Sequence, residues 1–218
     1  MKLYDYPASA NCFKVRLLLA LLDRPYERVP VDIFAGESST AAYLAKNPAG
    51  RTPLVELPSG ETVAESNAIL LYLGEGTRFV PEGLEERARV WAWLFFEQNL
   101  FEPNVGTARF WRLTGRDAGR HEEWESRRLA GIGALEALER GLTGREWLVG
   151  DAPTVADIAL YAYAHVAHEA GIEMAPYGSV AGWLARVQAE PGFVNDLVSY
   201  PAGARAGSAS GSVHDRAS

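Results

Sequence analysis

The chain of 218 residues has one cysteine, Cys12, and no long apolar run. A single cysteine cannot form a disulfide bond within the chain. The richest apolar stretch, residues 155–167, carries Asp157 and His165 and is shorter than a membrane-spanning helix. No basic segment followed by an apolar run, the pattern of a secretory signal peptide, opens the sequence. These absences predict a cytoplasmic protein that does not act in a membrane.

Positive charge is also scarce, with 21 Lys and Arg against 28 Asp and Glu and a formal net charge of −7. This balance argues against a nucleic-acid backbone or an anionic membrane as the main partner. Among four histidines, His165 and His168 stand three residues apart without a clustered third ligand, so no metal site is expected. Hydrophobic residues, at 48%, still supply ample surface for a core. We therefore expect a folded protein with a small-molecule partner.

The first 76 residues alternate between the periods of strands and helices. Their pattern predicts the order strand, helix, strand, helix, strand, strand, helix, over residues 2–6, 13–22, 26–33, 38–46, 54–57, 62–64 and 65–73. A strand, a helix and a strand in succession form a right-handed crossover, so the first two strands should be parallel. The later hairpin should add antiparallel strands to the same sheet.

The rest of the chain has helical spacing and no convincing strand alternation. After a linker at residues 77–84, an all-helical domain is predicted over residues 85–200. One of its helices, residues 155–170, is apolar nearly all round, which is typical of a helix enclosed by others. Residues 201–218 are mostly Gly, Ala and Ser with scattered charges, and we expect them to form a disordered tail.

The turn after the first strand, Ser9-Ala10-Asn11-Cys12, is the first candidate site. Backbone N–H groups at the start of a helix attract an anion. Ser9 and Cys12 have the spacing of a C-x-x-C redox motif, with serine in the place of its exposed nucleophile. A serine hydroxyl can donate a hydrogen bond to a bound thiolate and lower the pKa of that thiol. Helix capping by Ser9, a turn role for Asn11 and core packing of Cys12 are the ordinary alternatives.

Two further segments could bind a peptide-like ligand. Pro53 opens a strand, and a cis Thr52–Pro53 bond would expose the N–H and C=O of Thr52 to an extended peptide. Glu65 and Ser66 open a helix, where a carboxylate, a hydroxyl and free N–H groups can bind an amino-acid head group. Ordinary capping also explains this pair.

Taken in order, these motifs resemble those of the soluble glutathione S-transferases. The segment Asn47–Pro53, N-P-A-G-R-T-P, resembles the family's N-P-x-G-x-V-P, whose proline is cis, with Thr in place of the usual Val. Glu65-Ser66 matches the pair that holds the γ-glutamyl group, and residues 148–157 resemble the segment that enters the family's central helix. The resemblance implies a thioredoxin-like α/β domain of βαβαββα order (residues 1–76) that binds glutathione, followed by the all-α C-terminal domain.

The resemblance also implies roles for particular residues. Ser9 matches the catalytic serine of theta- and zeta-like members, and Asn11 matches a catalytic Asn of the nu-like pattern. Glutathione would lie extended, Ser9 would donate to its sulfur, and the thiolate would attack a small electrophile. The implied glutathione-binding residues are Arg51, Thr52, Pro53, Glu65 and Ser66, and the implied electrophile pocket comprises Asn104, Ala108 and Trp111.

Two other functions remain open at this point. Cys12 could be the nucleophile of a glutathione-dependent disulfide reductase or lyase. The chain could also be a non-catalytic binding protein that keeps the fold. The family typically forms homodimers, so a homodimer is expected as well. Thr154 and Asp157 have the spacing of an N-terminal capping box and are predicted to have a structural role.

Overall fold

The computed structural model describes residues 1–204. Most of the predicted tail, residues 205–218, lies outside the described part of the chain. Residues 201–204 form a turn in which Ala204 N–H donates to the carbonyl oxygen of Pro201 at 3.1 Å. The predicted domain limits at residues 76 and 85 stay predictions.

A four-stranded mixed sheet forms the N-terminal part. Its strands are β1 (Lys2–Asp5), β2 (Glu27–Pro30), β3 (Leu54–Glu56) and β4 (Thr62–Ala64), arranged in the order β2-β1-β3-β4. β1 is parallel to β2 and antiparallel to β3, and β3 is antiparallel to β4. The predicted parallel crossover and the added hairpin are confirmed. β1 is the central strand from which the candidate turn at Ser9 emerges.

Three helices flank this sheet: α1 (Ala10–Leu21), α2 (Ala41–Leu44) and α3 (Ser66–Gly74). α1 begins three residues before the predicted start, because the Ser9 hydroxyl caps it. The predicted helix 38–46 is divided into a short 3-10 turn and α2. Thr40 has extended backbone between the two pieces, and its hydroxyl accepts from Tyr43 N–H at 3.3 Å.

The C-terminal part is helical, as predicted. Its elements are α4 (Leu84–Phe96), a π-helical segment (Glu97–Gly106), α5 (Thr107–Thr114), α6 (His121–Leu142), α7 (Val155–Ala164) and α8 (Gly178–Gln188). The π-helical segment joins α4 to α5 and contains Pro103, which has no N–H to give to a regular α-helix. The segment ends at Gly106, and a Cβ atom at this position would lie only 2.7 Å from the Tyr163 ring. Within residues 1–204, none of the helices has the length and apolar character that a membrane span requires.

α7 is the central helix, and all ten of its residues are buried. The predicted capping box is present: Asp157 Oδ2 accepts from Thr154 N–H at 2.8 Å, and Thr154 Oγ1 caps the first turn. The helix ends at Ala164, earlier than the predicted residue 170. The chain then tightens into a 3-10 turn at Ala167–Ala170.

α1 is shared by the two parts of the molecule, since it packs between α3 and α7. Phe13 of α1 contacts the rings of Tyr161 and His165, with centroid separations of 6.3 and 5.3 Å. After α8 the chain runs back across this junction without forming a helix or strand up to residue 204. The Ser9 turn therefore lies where the sheet, the helical part and the C-terminal segment meet.

Candidate functional site

Ser9 lies between β1 and α1 with extended backbone. Its Oγ accepts a hydrogen bond from Cys12 N–H at 3.3 Å, and its own N–H donates to the Tyr6 carbonyl at 3.0 Å. Because the hydroxyl oxygen is the acceptor in the cap, the hydroxyl proton remains available for a second partner. The first turn of α1 has no acidic residue, so the positive end of the helix dipole is not neutralised there. Ser9 is thus both a helix cap and a potential donor to an anion.

Cys12 is fully buried, and its Sγ accepts from Tyr6 N–H at 3.4 Å. Burial, and then the negative charge of Asp5, raise the pKa of the thiol to about 11, although the neighbouring Thr52 and Ser9 hydroxyls oppose the rise. A reactive cysteine needs an accessible thiolate near neutral pH. The structure therefore disfavours Cys12 as the nucleophile of a disulfide reductase or lyase, and its place is in the core.

The structure brings Asn11 and Ser66 together although they are 55 positions apart. Ser66 Oγ donates to Asn11 Oδ1 at 3.1 Å, and Lys14 Nζ donates to Ser66 Oγ at 3.3 Å. Lys14 is itself buried and pairs with the buried Glu97 at 2.9 Å. This polar chain fixes the first turn of α3 against the first turn of α1.

The side chain of Glu102, in the π-helical segment, lies on the other side of Asn11. Its Oε1 is 3.5 Å from Asn11 Nδ2 and 3.5 Å from the Tyr163 hydroxyl. Burial raises the pKa of Glu102, and the positive charge of Lys14 opposes the rise. An acceptor on this side keeps the Asn11 amide nitrogen turned away from Ser66, so that its oxygen faces the Ser66 hydroxyl.

Glu65 has an unusual backbone conformation, with φ +68° and ψ 117°. A residue other than glycine with positive φ is strained by about 1–3 kcal/mol and often marks a functional site. Here it turns the chain sharply between β4 and the start of α3, so the exposed Glu65 side chain lies next to Ser66. The two residues predicted as a pair therefore share the N-terminus of α3.

The Thr52–Pro53 bond is cis, as the resemblance implied. The preceding Arg51 carbonyl accepts from the Tyr43 hydroxyl and from Asn47 Nδ2, each at 2.7 Å. Thr52 is close enough to Cys12 for its hydroxyl to lower the pKa of that thiol. The Thr52 segment thus packs against the Ser9 turn, and all three predicted segments meet at one edge of the sheet.

The three residues predicted for the electrophile pocket have contacts on the α6 side of the helical part. Asn104 Oδ1 accepts from Arg127 Nη1 at 3.3 Å, and the carbonyl of the buried Ala108 accepts from Trp124 Nε1 at 3.1 Å. Trp111 lines an open cavity of about 480 Å³ whose other walls are α6 residues. No described contact joins these three side chains to the Ser9 turn, and their role in a pocket stays a prediction.

Residues that the sequence did not single out lie beside the Ser9 turn instead. Arg109 Nη1 donates to the Ala8 carbonyl at 3.2 Å, and its Nε pairs with Glu169 at 2.5 Å. Four rings gather next to it, and we call them the aromatic cluster: Tyr6, Phe34, Phe110 and Tyr200. One sequence signal could have pointed to Arg109 and Phe110. Successive residues of a helix point in different directions, so a helix that buries Ala108 presents Arg109 and Phe110 to other parts of the molecule. Nothing in the sequence pointed to Tyr200.

Within residues 1–204, no group of three or more His, Cys, Asp or Glu side chains is arranged to hold a metal ion. His168 is exposed, whereas the His165 ring stacks on Tyr161 with a centroid distance of 4.7 Å. His165 is therefore packed in the interior, and His168 is exposed to solvent.

Two family models match the chain. Residues 1–75 match the model described as the glutathione S-transferase N-terminal domain, and residues 119–186 match the model of the C-terminal domain. The first covers all four strands and α1 to α3, and the second covers all of α6 and α7 and most of α8.

Curated and solved relatives agree with these matches. A maleylacetoacetate isomerase of Rhizobium meliloti is 33% identical over 181 residues, which are 79% of this chain and 84% of that protein. A glutathione S-transferase crystal structure from Pseudomonas fluorescens is 43% identical with a TM-score of 0.88, covering 90% of this chain and 98% of that one. Another family member from Pseudomonas fluorescens, solved with two glutathione molecules bound, is 26% identical with a TM-score of 0.78, covering 90% and 91%.

Proposed function

Because the chain belongs to the glutathione S-transferase family, we propose that it binds glutathione at the Ser9, Thr52 and Ser66 segments and transfers its sulfur to a small electrophile. The observation that carries this proposal is the meeting of three segments, far apart in sequence, at one edge of the sheet. Ser66 contacts Asn11, and Thr52 lies beside Cys12. The glutathione bound to a solved relative supports the choice of thiol.

The tripeptide would lie extended across this edge. At the start of α3, the N–H groups and the Ser66 hydroxyl would bind the γ-glutamyl carboxylate, and the Glu65 carboxylate would bind its ammonium. The backbone of Thr52 would pair with the cysteinyl unit, as an added strand does. Pro53 directly precedes β3, and Arg51 would face the glycyl carboxylate.

Ser9 would then donate its hydroxyl proton to the sulfur. A free thiol with a pKa near 8.5 is only a few per cent ionised at neutral pH, so each unit of pKa lowering gives up to about tenfold more thiolate. The positive end of α1, which has no acidic residue in its first turn, adds to the same effect. Asn11, oriented by Glu102 and Ser66, would be a second polar group in the turn.

The chemical step needs only the thiolate and an electrophilic carbon. In a substitution, the carbon–sulfur bond forms while the leaving group takes the electron pair of the bond that breaks. In an addition to an activated double bond, the adjacent carbon gains the electron pair of the double bond and then takes a proton from water. No electrons are exchanged with an outside oxidant or reductant. The same addition followed by rotation and loss of the thiolate would isomerise a cis double bond.

Isomerisation is the second candidate, and it is favoured by the relative named maleylacetoacetate isomerase. It differs from transfer in that the thiol is released unchanged at the end of each cycle. Consumption of glutathione during turnover therefore separates the two reactions. Stoichiometric loss of thiol supports transfer, and turnover without such loss supports isomerisation.

We also propose a homodimer formed through one face of α3 and α4. Leu84, Ala88, Ala92 and Phe95 follow each other at helical spacing along an exposed stripe of α4, with Leu84 68% and Phe95 66% exposed. Tyr72 of α3 is 52% exposed. Exposed apolar faces of this kind are typical of interfaces between copies of a chain.

α3 and α4 are consecutive helices separated by residues 75–83, and contacts between them bring their exposed residues onto one surface. Arg87 pairs with Glu75 at 3.0 Å near one end, and Asn67 Nδ2 donates to the Leu94 carbonyl at 3.1 Å near the other. A face that is continuous across two helices can bury more apolar area than either helix alone.

The test of the proposed function is the pKa of the bound thiol. The ultraviolet absorbance of the glutathione thiolate is titrated in the wild type and in Ser9→Ala and Ser9→Thr. We expect Ser9→Ala to raise the bound thiol pKa by about one unit or more, and Ser9→Thr to restore it, because Thr keeps both the cap and the hydroxyl. An unchanged pKa in Ser9→Ala would rule out the role given to Ser9.

Binding itself is tested by thermal unfolding with and without glutathione. A ligand that binds only the folded state raises the unfolding temperature, and the rise grows with the ratio of ligand concentration to Kd. No shift at millimolar glutathione would remove the proposed function. A shift without turnover of any electrophile would leave the non-catalytic binding protein as the better description.

A further inference from the structure

The C-terminal segment of residues 193–204, which we call the strap, crosses the junction between the sheet and the helical part. It contains no helix or strand, and no backbone hydrogen bond joins residues 194–200 to another described residue. Phe193 N–H donates to Glu190 at its start, and the Ala204 carbonyl accepts from Arg116 Nη1 at 2.8 Å at its end. The strap is therefore held in place by side chains.

The main attachment is an ion pair with α1. Arg16 Nε donates to both carboxylate oxygens of Asp196, at 2.8 and 2.9 Å, while Arg16 Nη1 pairs with the buried Asp5 at 2.5 Å. Arg28 lies 3.8 Å from Asp196 and also pairs with Asp5. The Asp196 side chain is 41% exposed, so solvent and salt can weaken this attachment.

The strap places the ring of Tyr200 inside the aromatic cluster. Its centroid lies 6.0 Å from Tyr6, 5.0 Å from Phe110 and 6.4 Å from Phe34. Arg109 stands over the face of the same ring at 5.2 Å. At these separations the rings are in direct contact, so a flat ligand cannot enter the cluster while Tyr200 is seated.

The aromatic cluster lies beside the turn that would hold the thiolate. Tyr6 accepts the backbone hydrogen bond of Ser9, and Arg109 donates to the carbonyl of Ala8, the residue before Ser9. The aromatic cluster therefore borders the Ser9 turn on the side of the helical part. A thiolate held by Ser9 would meet its second substrate here.

Tyr200 is the ring that can leave at the lowest cost. Phe110 is part of α5, and Tyr6 directly follows β1. Phe34 lies in a turn whose N–H groups are held by the Asp32 carboxylate, including its own at 2.9 Å. Segments without backbone hydrogen bonds open locally at much lower cost than helices and strands.

We infer that Tyr200 occupies the place of the electrophile's flat unsaturated group, and that the strap opens to admit this substrate. The inference rests on the proposed function and names its substrate class: a planar aromatic or conjugated electrophile, whose ring replaces Tyr200 between Tyr6, Phe34 and Phe110. In this arrangement the chain's own tyrosine closes the site. Asp196 is a positioning residue that holds the strap down through Arg16.

Calorimetric titration tests this with two ligands, glutathione and S-(2,4-dinitrophenyl)glutathione, whose flat ring extends from the sulfur. We expect Tyr200→Ala to bind the conjugate about 3- to 10-fold more tightly, because no ring has to be displaced, with an unchanged Kd for glutathione. Tyr200→Phe should match the wild type, since its ring fills the same space. Asp196→Asn should shift conjugate binding in the same direction as Tyr200→Ala. Val198→Ala, an exposed strap position, is the matched control.

A nitroxide attached at Val198→Cys gives an independent readout, because Val198 is exposed whereas the native Cys12 is buried. Saturation with the conjugate should increase the mobility of this label, whereas glutathione alone should leave it unchanged. Conjugate binding that is unchanged or weaker in Tyr200→Ala, or a label whose mobility does not change when the conjugate binds, would overturn the inference. Absence of glutathione binding in the wild type would instead remove the proposed function and this inference with it.

Discussion

Asp157 offers the sharpest stability prediction, because its carboxylate is fully buried and holds three parts of the helical region together. Its Oδ2 accepts from Thr154 N–H at 2.8 Å and from the Thr154 hydroxyl at 3.0 Å. Its Oδ1 accepts from Leu148 N–H at 3.1 Å and from Trp183 Nε1 at 2.9 Å. Replacing Asp157 with Ala would leave the two backbone donors and the indole donor without their partner.

The size of the effect follows from these donors. A buried donor left unsatisfied costs about 1–3 kcal/mol, so three of them set an upper range of about 3–9 kcal/mol. Two effects reduce it: Ala also removes a buried charge, whose desolvation raises the pKa of Asp157, and water can enter the vacated space. We therefore expect Asp157→Ala to lower the free energy of unfolding by about 3 kcal/mol, more than the roughly 1 kcal/mol of a lost cap alone.

Urea unfolding followed by circular dichroism measures this directly. Tryptophan fluorescence is less suitable, since Trp183 itself loses its partner. Asp151→Ala is the matched control: it removes an exposed carboxylate from the loop before α7, and its stability should stay within about 0.5 kcal/mol of the wild type. A change below about 1 kcal/mol in Asp157→Ala would refute the hydrogen-bond argument. Equal stability with lost activity would show a role in catalysis instead of in the fold.

Three further predictions concern other buried or exposed groups. Burial lowers the pKa of His165 to about 4, from 6.5 in the unfolded chain, and its Nε2 has no described partner. The free energy of unfolding should therefore fall by up to about 3 kcal/mol as the pH drops from 6.5 toward 4, because the unfolded chain takes up the proton first. His165→Phe should flatten this part of the plot of urea midpoint against pH. Lys14→Met leaves buried Glu97 without its cation and should cost about 3–5 kcal/mol of unfolding free energy, most of which Lys14→Met/Glu97→Leu should recover. Phe95→Glu should convert the proposed dimer to a monomer in light scattering.

Each of these has a result that counts against it. A slope between pH 4 and 6.5 that His165→Phe leaves unchanged would assign the acid sensitivity to other groups. A double variant at Lys14 and Glu97 as unstable as the single one would show that the pair is not the cause. Leu129→Glu, at an exposed position of α6 away from the proposed interface, is the control for Phe95→Glu. Dissociation by both variants would point to general loss of structure.

Local patterns were enough to predict the order of elements in the N-terminal part. Alternation of apolar and polar residues predicted the strands, and the turn residues between β3 and β4 predicted a hairpin. Boundaries were less accurate where a side chain overrides the pattern. Ser9 starts α1 three residues before its apolar run, and Thr40 divides a helix that the spacing alone presents as continuous.

The candidate site likewise has a part that local patterns predicted and a part that they did not. The turn at Ser9, the Thr52–Pro53 bond and the Glu65–Ser66 pair each belong to a short motif, and the structure brings them together. The aromatic cluster could not be predicted in this way, because Tyr6 and Tyr200 come from opposite ends of the chain. A sequence pattern reports on neighbours within a helix or strand, whereas this contact depends on how the strap crosses the finished fold.

The attachment of the strap has a consequence for the timing of synthesis. Arg16 and Asp196 are separated by 180 positions, so α1 leaves the ribosome well before its partner in the strap. Until Asp196 arrives, Asp5 is the acidic partner of both Arg16 and Arg28 in this charge network, and the aromatic cluster lacks its fourth ring. Contacts of such long range form late in folding, because the entropy of closing the intervening chain must be lost first. A nascent chain would thus form its sheet before the strap completes the aromatic cluster.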